Sequence, residues 1–235
     1  MCFSAEASMS ATVVLSAIGY FTCKSVKQKQ NLPLAIIPFL FALQQFSEGM
    51  IWLSYNSNIL SSVALNLFKT IFLIFAVLLW PIYFPFAILS SEQNHLRKKI
   101  IGLINLCGIL VSSFFIYQMI DNNVSVKIVN YSIMYTMDRP LIFNEWIVVG
   151  TYTFVVLLPF FITTTPLMKS YGMLLIVSWL IAEYFYHQTF VSVWCFLSAI
   201  LSGYLYLVIR VNEKTEQLQE AESKNRNRQS DSYDQ

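Results

Sequence analysis

Gln44, Gln45, Glu48 and Trp52 all fall inside one long apolar stretch, residues 33–55. In a helix, positions 44, 48 and 52 stack along one face with 45 beside them, so the stretch carries a polar stripe. An ionised carboxylate near the interior of a bilayer costs at least ~2.5 kcal/mol, which requires Glu48 to face protein or water rather than lipid. A second group lies late in the chain, where Glu183 and His187 form an i, i+4 pair and Cys195 follows. Together with Cys2, these residues supply the carboxylate, imidazole and thiolate ligands that suit zinc or copper. Lys69 is the one intramembrane cation. It either pairs with Glu48 and Glu183 as a buried ion network or extends its stem toward the surface. The candidate ligand-binding set is therefore Gln44, Gln45, Glu48, Trp52, Lys69 and Glu183, and the candidate metal set is His187, Cys195 and Cys2. Cys2 and Cys195 also permit a disulfide if their compartment is oxidising. Cys23 and Cys107 read as buried thiols.

The elements that must hold these residues follow from composition. The chain has 235 residues, of which 56% are hydrophobic and only 12% charged, against roughly 25% charged in soluble proteins. Its main solvent is therefore a lipid bilayer, and no basic surface suggests nucleic acid as a partner. Glu6 sits where a signal peptide would carry a basic residue, so the N-terminal segment is expected to stay on the protein. Hydropathy predicts an all-α integral membrane domain over 1–211 with seven spans, near 5–23, 33–55, 62–89, 100–120, 145–165, 168–187 and 190–210, and a polar cytoplasmic tail over 212–235. Pro81 and Pro85 should kink or end the third span. Lys24, Lys27, Lys29, Arg97, Lys98, Lys99, Lys169, Arg210 and Lys214 fall in alternate loops, while Lys127 and Arg139 are the basic residues of the others. The positive-inside rule then places the N-terminus outside and the C-terminus in the cytoplasm. In the outer loop, 121–144, Val124, Val126 and Ile128 alternate with polar residues and YSIMY follows, which predicts a strand pair over the bundle.

At a rise of ~1.5 Å per residue, Glu48 lies about 10 Å below the outer end of its span. Glu183, His187, Cys195, Lys69 and Cys2 fall in the same outer half. Span seven also repeats Ser192, Cys195, Ser198, Ala199 and Ser202 at spacings of three and four, the signature of close helix packing. No phosphate loop, nucleophile elbow, dinucleotide fingerprint or paired zinc motif is present.

At MCFSAEAS, LQQFSEGMIWL, YSIMY and FVSVWC the chain resembles an uncharacterised family of bacterial polytopic membrane proteins, with relatives in some giant viruses. The residues that match are Cys2, Phe3, Ser4, Gln44, Gln45, Glu48, Gly49, Trp52, Ser192, Val193, Trp194 and Cys195. The resemblance implies a bacterial inner-membrane location and brings no activity; His187 is outside its pattern. The seven-span ceramidase and adiponectin-receptor superfamily matches in span count only. Three functions fit these residues. One is binding, sensing or transport of a small ligand or ion in an outward-facing intramembrane polar pocket. The others are a membrane-embedded lipid hydrolase, metal-dependent or not, and a structural subunit of a membrane complex.

Overall fold

A computed structural model describes residues 4–57, 61–138 and 144–218. Helix α1 (Ala5–Ser25) begins at Ser4, whose side chain accepts from the Ala7 amide, with Glu6 in the first turn where the helix dipole favours an acid. A 3₁₀ turn, Lys29–Asn31, leads into α2 (Leu32–Ser57), which returns along α1. Among the described residues, five segments are long and apolar enough to cross a membrane: Lys29–Tyr55, Ser62–Ser91, His95–Ile120, Glu145–Ile162 and Met168–Leu218.

The second of these is built in three pieces, α3 (Ser62–Leu73), a π-helical stretch (Ile74–Leu79) and α4 (Trp80–Ser91). The cause is Pro81, which offers no N–H and crowds the carbonyl four residues back, so the backbone widens ahead of it. The Trp80 amide accordingly bonds to Phe75, five residues earlier. In that wider register the Ala76 carbonyl would look to position 81 for a donor, and the Tyr152 hydroxyl takes its place at 2.5 Å. Pro85 likewise deprives the Pro81 carbonyl of its helical partner. That oxygen lies against α5 (His95–Asp121) at Gly108, where an added Cβ would sit 2.0 Å from it. Only glycine allows this approach.

After α5, strands β1 (Val124–Val129) and β2 (Ser132–Met137) pair antiparallel, with Val129 opposite Ser132. Asn130 and Tyr131 both take positive φ, 47° and 58°, the two-residue turn whose twist matches a hairpin. The strand pair read from the alternation is therefore present. It is clamped to the bundle by the Tyr55 hydroxyl donating to the Val126 carbonyl at 2.5 Å and by Phe72 stacking on Tyr135 at 4.9 Å.

Helices α6 (Glu145–Leu157) and α7 (Pro159–Ile162) precede α8 (Met168–Tyr186). A 3₁₀ turn at His187–Thr189 then joins α8 to α9 (Phe190–Ser202). The chain reverses there, since Tyr171 of α8 stacks on Tyr204 beyond α9. A last helix, α10, spans 205–218. The polar tail expected to be solvated from 212 instead docks its first turns, because Asn212, Glu213 and Glu216 are buried. Asn31 donates to both carboxylates at 3.0 and 3.1 Å, and Gln30 and Gln93 donate to Glu216. Two loops at the same end are tied by Glu92, which accepts from the Asn94 and Thr164 amides and from the Thr164 hydroxyl. Cys107, expected to be buried, is exposed on α5; Cys23 is half-buried, its thiol near the Ala35 carbonyl.

Candidate functional site

The polar stripe of α2 is buried. Gln44 and Gln45 have no exposed surface, and Glu48 and Trp52 retain 2% and 5%. A charged side chain so enclosed requires hydrogen-bond donors, and two are supplied. Ser192 of α9 donates its hydroxyl to Glu48 Oε1 in a very short contact, and Gln45 Nε2 donates to Oε2 at 3.3 Å. Gln44 points the other way, with Oε1 accepting from the Trp80 indole at 2.9 Å and the amide beside the Cys195 thiol. Trp52 packs with Ala5, Ile51, Phe72 and Cys195. The stripe therefore joins α2 to α4 on one side and to α9 on the other.

Among the described residues, several polar atoms in this region have no hydrogen-bond partner, namely Gln45 Oε1, the Tyr135 hydroxyl and the Trp194 indole N–H, and Gln44 Nε2 has only the Cys195 thiol beside it. Tyr135 comes from the hairpin, and its hydroxyl lies within electrostatic reach of Glu48, Cys195 and Tyr55. Buried polar groups are nearly always satisfied, so unpaired ones gathered in one region mark a place that is not merely packed.

Lys69, expected either to pair with the carboxylates or to reach the surface, does neither fully. It is half-buried, and its ammonium donates to Asn66 Oδ1 at 2.9 Å and to the Val124 carbonyl at 2.6 Å, so it fastens the hairpin instead. A backbone carbonyl within reach was the better acceptor. Glu183 and His187 are together, with Nδ1 and Oε1 2.7 Å apart, but they line a different pocket from Cys195. The candidate metal ligands His187 and Cys195 are thus not joined in one set. Cys2 lies outside the described residues, and among the described residues no three His, Cys, Asp or Glu side chains are placed to hold a metal ion together.

Beside the Glu48 group lies a cavity of about 620 Å³, within the ~300–1,000 Å³ range of ligand sites. It sits beneath the hairpin, between the α3–π segment, α6 and α9. Its walls are mainly apolar, including Leu73, Ala76, Val77, Phe115, Val148 and Val191; Tyr135, Tyr152, Trp194 and Cys195 add polar atoms, and Asn144 and Glu145 lie at one edge. Cys195 belongs both to this wall and to the Gln44–Glu48 group. Sequence reasoning missed this cavity and the roles of Ser192, Tyr135 and Tyr152. The signals available were SVWC and YSIMY, which had been read as packing and as a strand pair.

Residues 1–221 match a family described as "Family of unknown function (DUF6629)". The chain belongs to this family. No curated protein and no solved structure matches it. Membership covers the hairpin, the Glu48 group and the whole cavity, and it assigns no chemistry to them.

Proposed function

We propose that this protein is a seven-span membrane receptor or carrier that binds a small apolar or amphipathic molecule in the cavity under the hairpin, with the Glu48 group sensing its occupancy from behind Cys195. The single observation that carries the reading is the position of Cys195, which is shared by the apolar cavity and a buried carboxylate–amide group with unpaired polar atoms. The seven passes are α1, α2, α3–α4, α5, α6–α7, α8 and α9–α10. The hairpin faces outward, supported by the basic residues gathered at the opposite end: Lys24, Lys27, Lys29, Arg97–Lys99, Lys169, Arg210 and Lys214. Binding is favoured over hydrolysis because Ser192, the hydroxyl that meets the Glu48 carboxylate, is not among the residues lining the cavity, and Cys195, which is, has no His or Lys beside it there among the described residues.

Native mass spectrometry of the purified protein tests the reading. Wild type should carry a co-purified adduct, and Val191→Trp, which fills the cavity, should lose it while remaining folded. Wild type free of any adduct, or an adduct that survives Val191→Trp, contradicts the proposal. Reporter fusions at residue 58 and after residue 215 test the topology, and both reporting the same compartment would contradict seven spans.

A further inference from the structure

The cavity has a neighbour of opposite character. At the α8–α9 turn and the start of α6, a pocket of about 190 Å³ is lined by Glu145, Trp146, Glu183, His187, Gln188 and Phe190 among others. Five residues, Tyr135, Glu145, Val149, Phe190 and Val191, line both spaces, so the two adjoin through a thin wall of side chains. Among the described residues, no Lys or Arg lines either space. The described lining of the smaller pocket carries two carboxylates and one imidazole, so acidic groups outnumber basic ones in it. Trp146 stacks against the His187 ring at 6.2 Å, and Phe190 adds a second aromatic ring. Carboxylates set among aromatic rings are the chemistry that recognises an organic ammonium, through charge and through attraction of the cation to the ring face. Away from Glu145 and Asn144 at its junction with the smaller pocket, the larger space offers that head group only apolar wall and a few hydroxyl, thiol and indole groups.

Resting on the cavity reading above, we infer that the ligand is a cationic amphiphile, with a single apolar chain in the larger cavity and an amine or quaternary ammonium head held by Glu145 and Glu183 beside Trp146. Glu145 is the residue that belongs to both compartments, and it would sit at the junction of chain and head. The other reading of Glu145, an acid placed at a helix N-terminus for the dipole, predicts no selectivity among ligands.

The test uses three probes of equal chain length, decyltrimethylammonium, decanol and decanoate, titrated into the full-length protein in maltoside micelles and read by the shift in unfolding temperature. Wild type should bind decyltrimethylammonium about tenfold more tightly than decanol, and decanoate more weakly than either. The E145Q/E183Q double variant should bind decyltrimethylammonium and decanol equally. If the double variant does not fold, E145Q alone, a change at an exposed helix start, should reduce the preference. Equal affinity of wild type for decyltrimethylammonium and decanol, or a preference that survives removal of the carboxylates, overturns the head-group assignment and leaves the cavity reading standing. Failure of all three probes to bind overturns both.

Discussion

Removing the Ser192 hydroxyl isolates the contact on which the buried carboxylate depends. Ser192→Ala strips Glu48 of its shortest donor and leaves only Gln45 at 3.3 Å. Leaving a buried acceptor short of a donor costs about 1–3 kcal/mol, so the single variant should lose about that much stability, measured by unfolding in mixed micelles. Glu48→Gln should be milder. Its carbonyl still accepts from Ser192, and a half-turn of the Gln45 amide brings the unpaired Gln45 Oε1 round to accept from the new NH₂ group. In the Glu48→Gln background, Ser192→Ala removes an amide–hydroxyl interhelical bond, of the kind that averages about 0.6 kcal/mol in membranes. The double-mutant cycle should therefore give a coupling of about 1 kcal/mol or more between positions 48 and 192. Lys69→Met should show no coupling to Glu48, since its ammonium is spent on Asn66 and Val124. Equal costs for Ser192→Ala in both backgrounds, or coupling of Glu48 to Lys69 in place of Ser192, would refute this account of the group.

Gly108→Ala should destabilise by about 3 kcal/mol, the upper end for overpacking, because the added carbon meets a backbone oxygen that cannot step aside. Gly150→Ala, with open space at that position, should instead gain up to about 1 kcal/mol from helix propensity, read in the same unfolding assay. Tyr152→Phe leaves the Ala76 carbonyl without its donor and should cost about 1–3 kcal/mol, with π-segment amides exchanging faster. At Glu92, burial opposes the charge, but the Asn94 amide and the Thr164 hydroxyl and amide outweigh it, with help from Thr163, and hold the carboxyl below its usual range. A depressed folded-state value means that its stabilisation is fully present above the ordinary glutamate range near ~4.3 and is lost as pH falls below it. Glu92→Gln should therefore be less stable than wild type at neutral pH, and the gap should close in acid; a gap that is constant with pH would contradict this.

The helical architecture was legible because hydropathy reports the solvent of each residue directly. The predicted segments 33–55 and 168–187 differ from α2 and α8 by at most two residues at either end. The polar stripe was legible for the same reason, since glutamine and glutamate inside an apolar run have no other explanation than burial among partners. What sequence spacing does not report is which partner wins. Lys69 and Glu48 have complementary charges and similar depth, yet the ammonium goes to a hairpin carbonyl whose position depends on the Asn130–Tyr131 turn. Ser192 looked like one more small residue in a packing stripe because its role exists only once α9 lies against α2. The π-helical widening followed from Pro81, but its consequence, a carbonyl capped by Tyr152 some seventy residues later, required the fold. A cavity is unfilled volume, and no residue type announces it.

The most direct test of the central claim is to locate a ligand in the protein. Crystals grown with 10-bromodecanol should give an anomalous bromine peak inside the space bounded by Ala76, Tyr152, Val191 and Cys195, and the peak should vanish in Val191→Trp. Bromine found only on the lipid-facing surface of the bundle, with the space beneath the hairpin empty or closed, would contradict the claim that this cavity is a binding site.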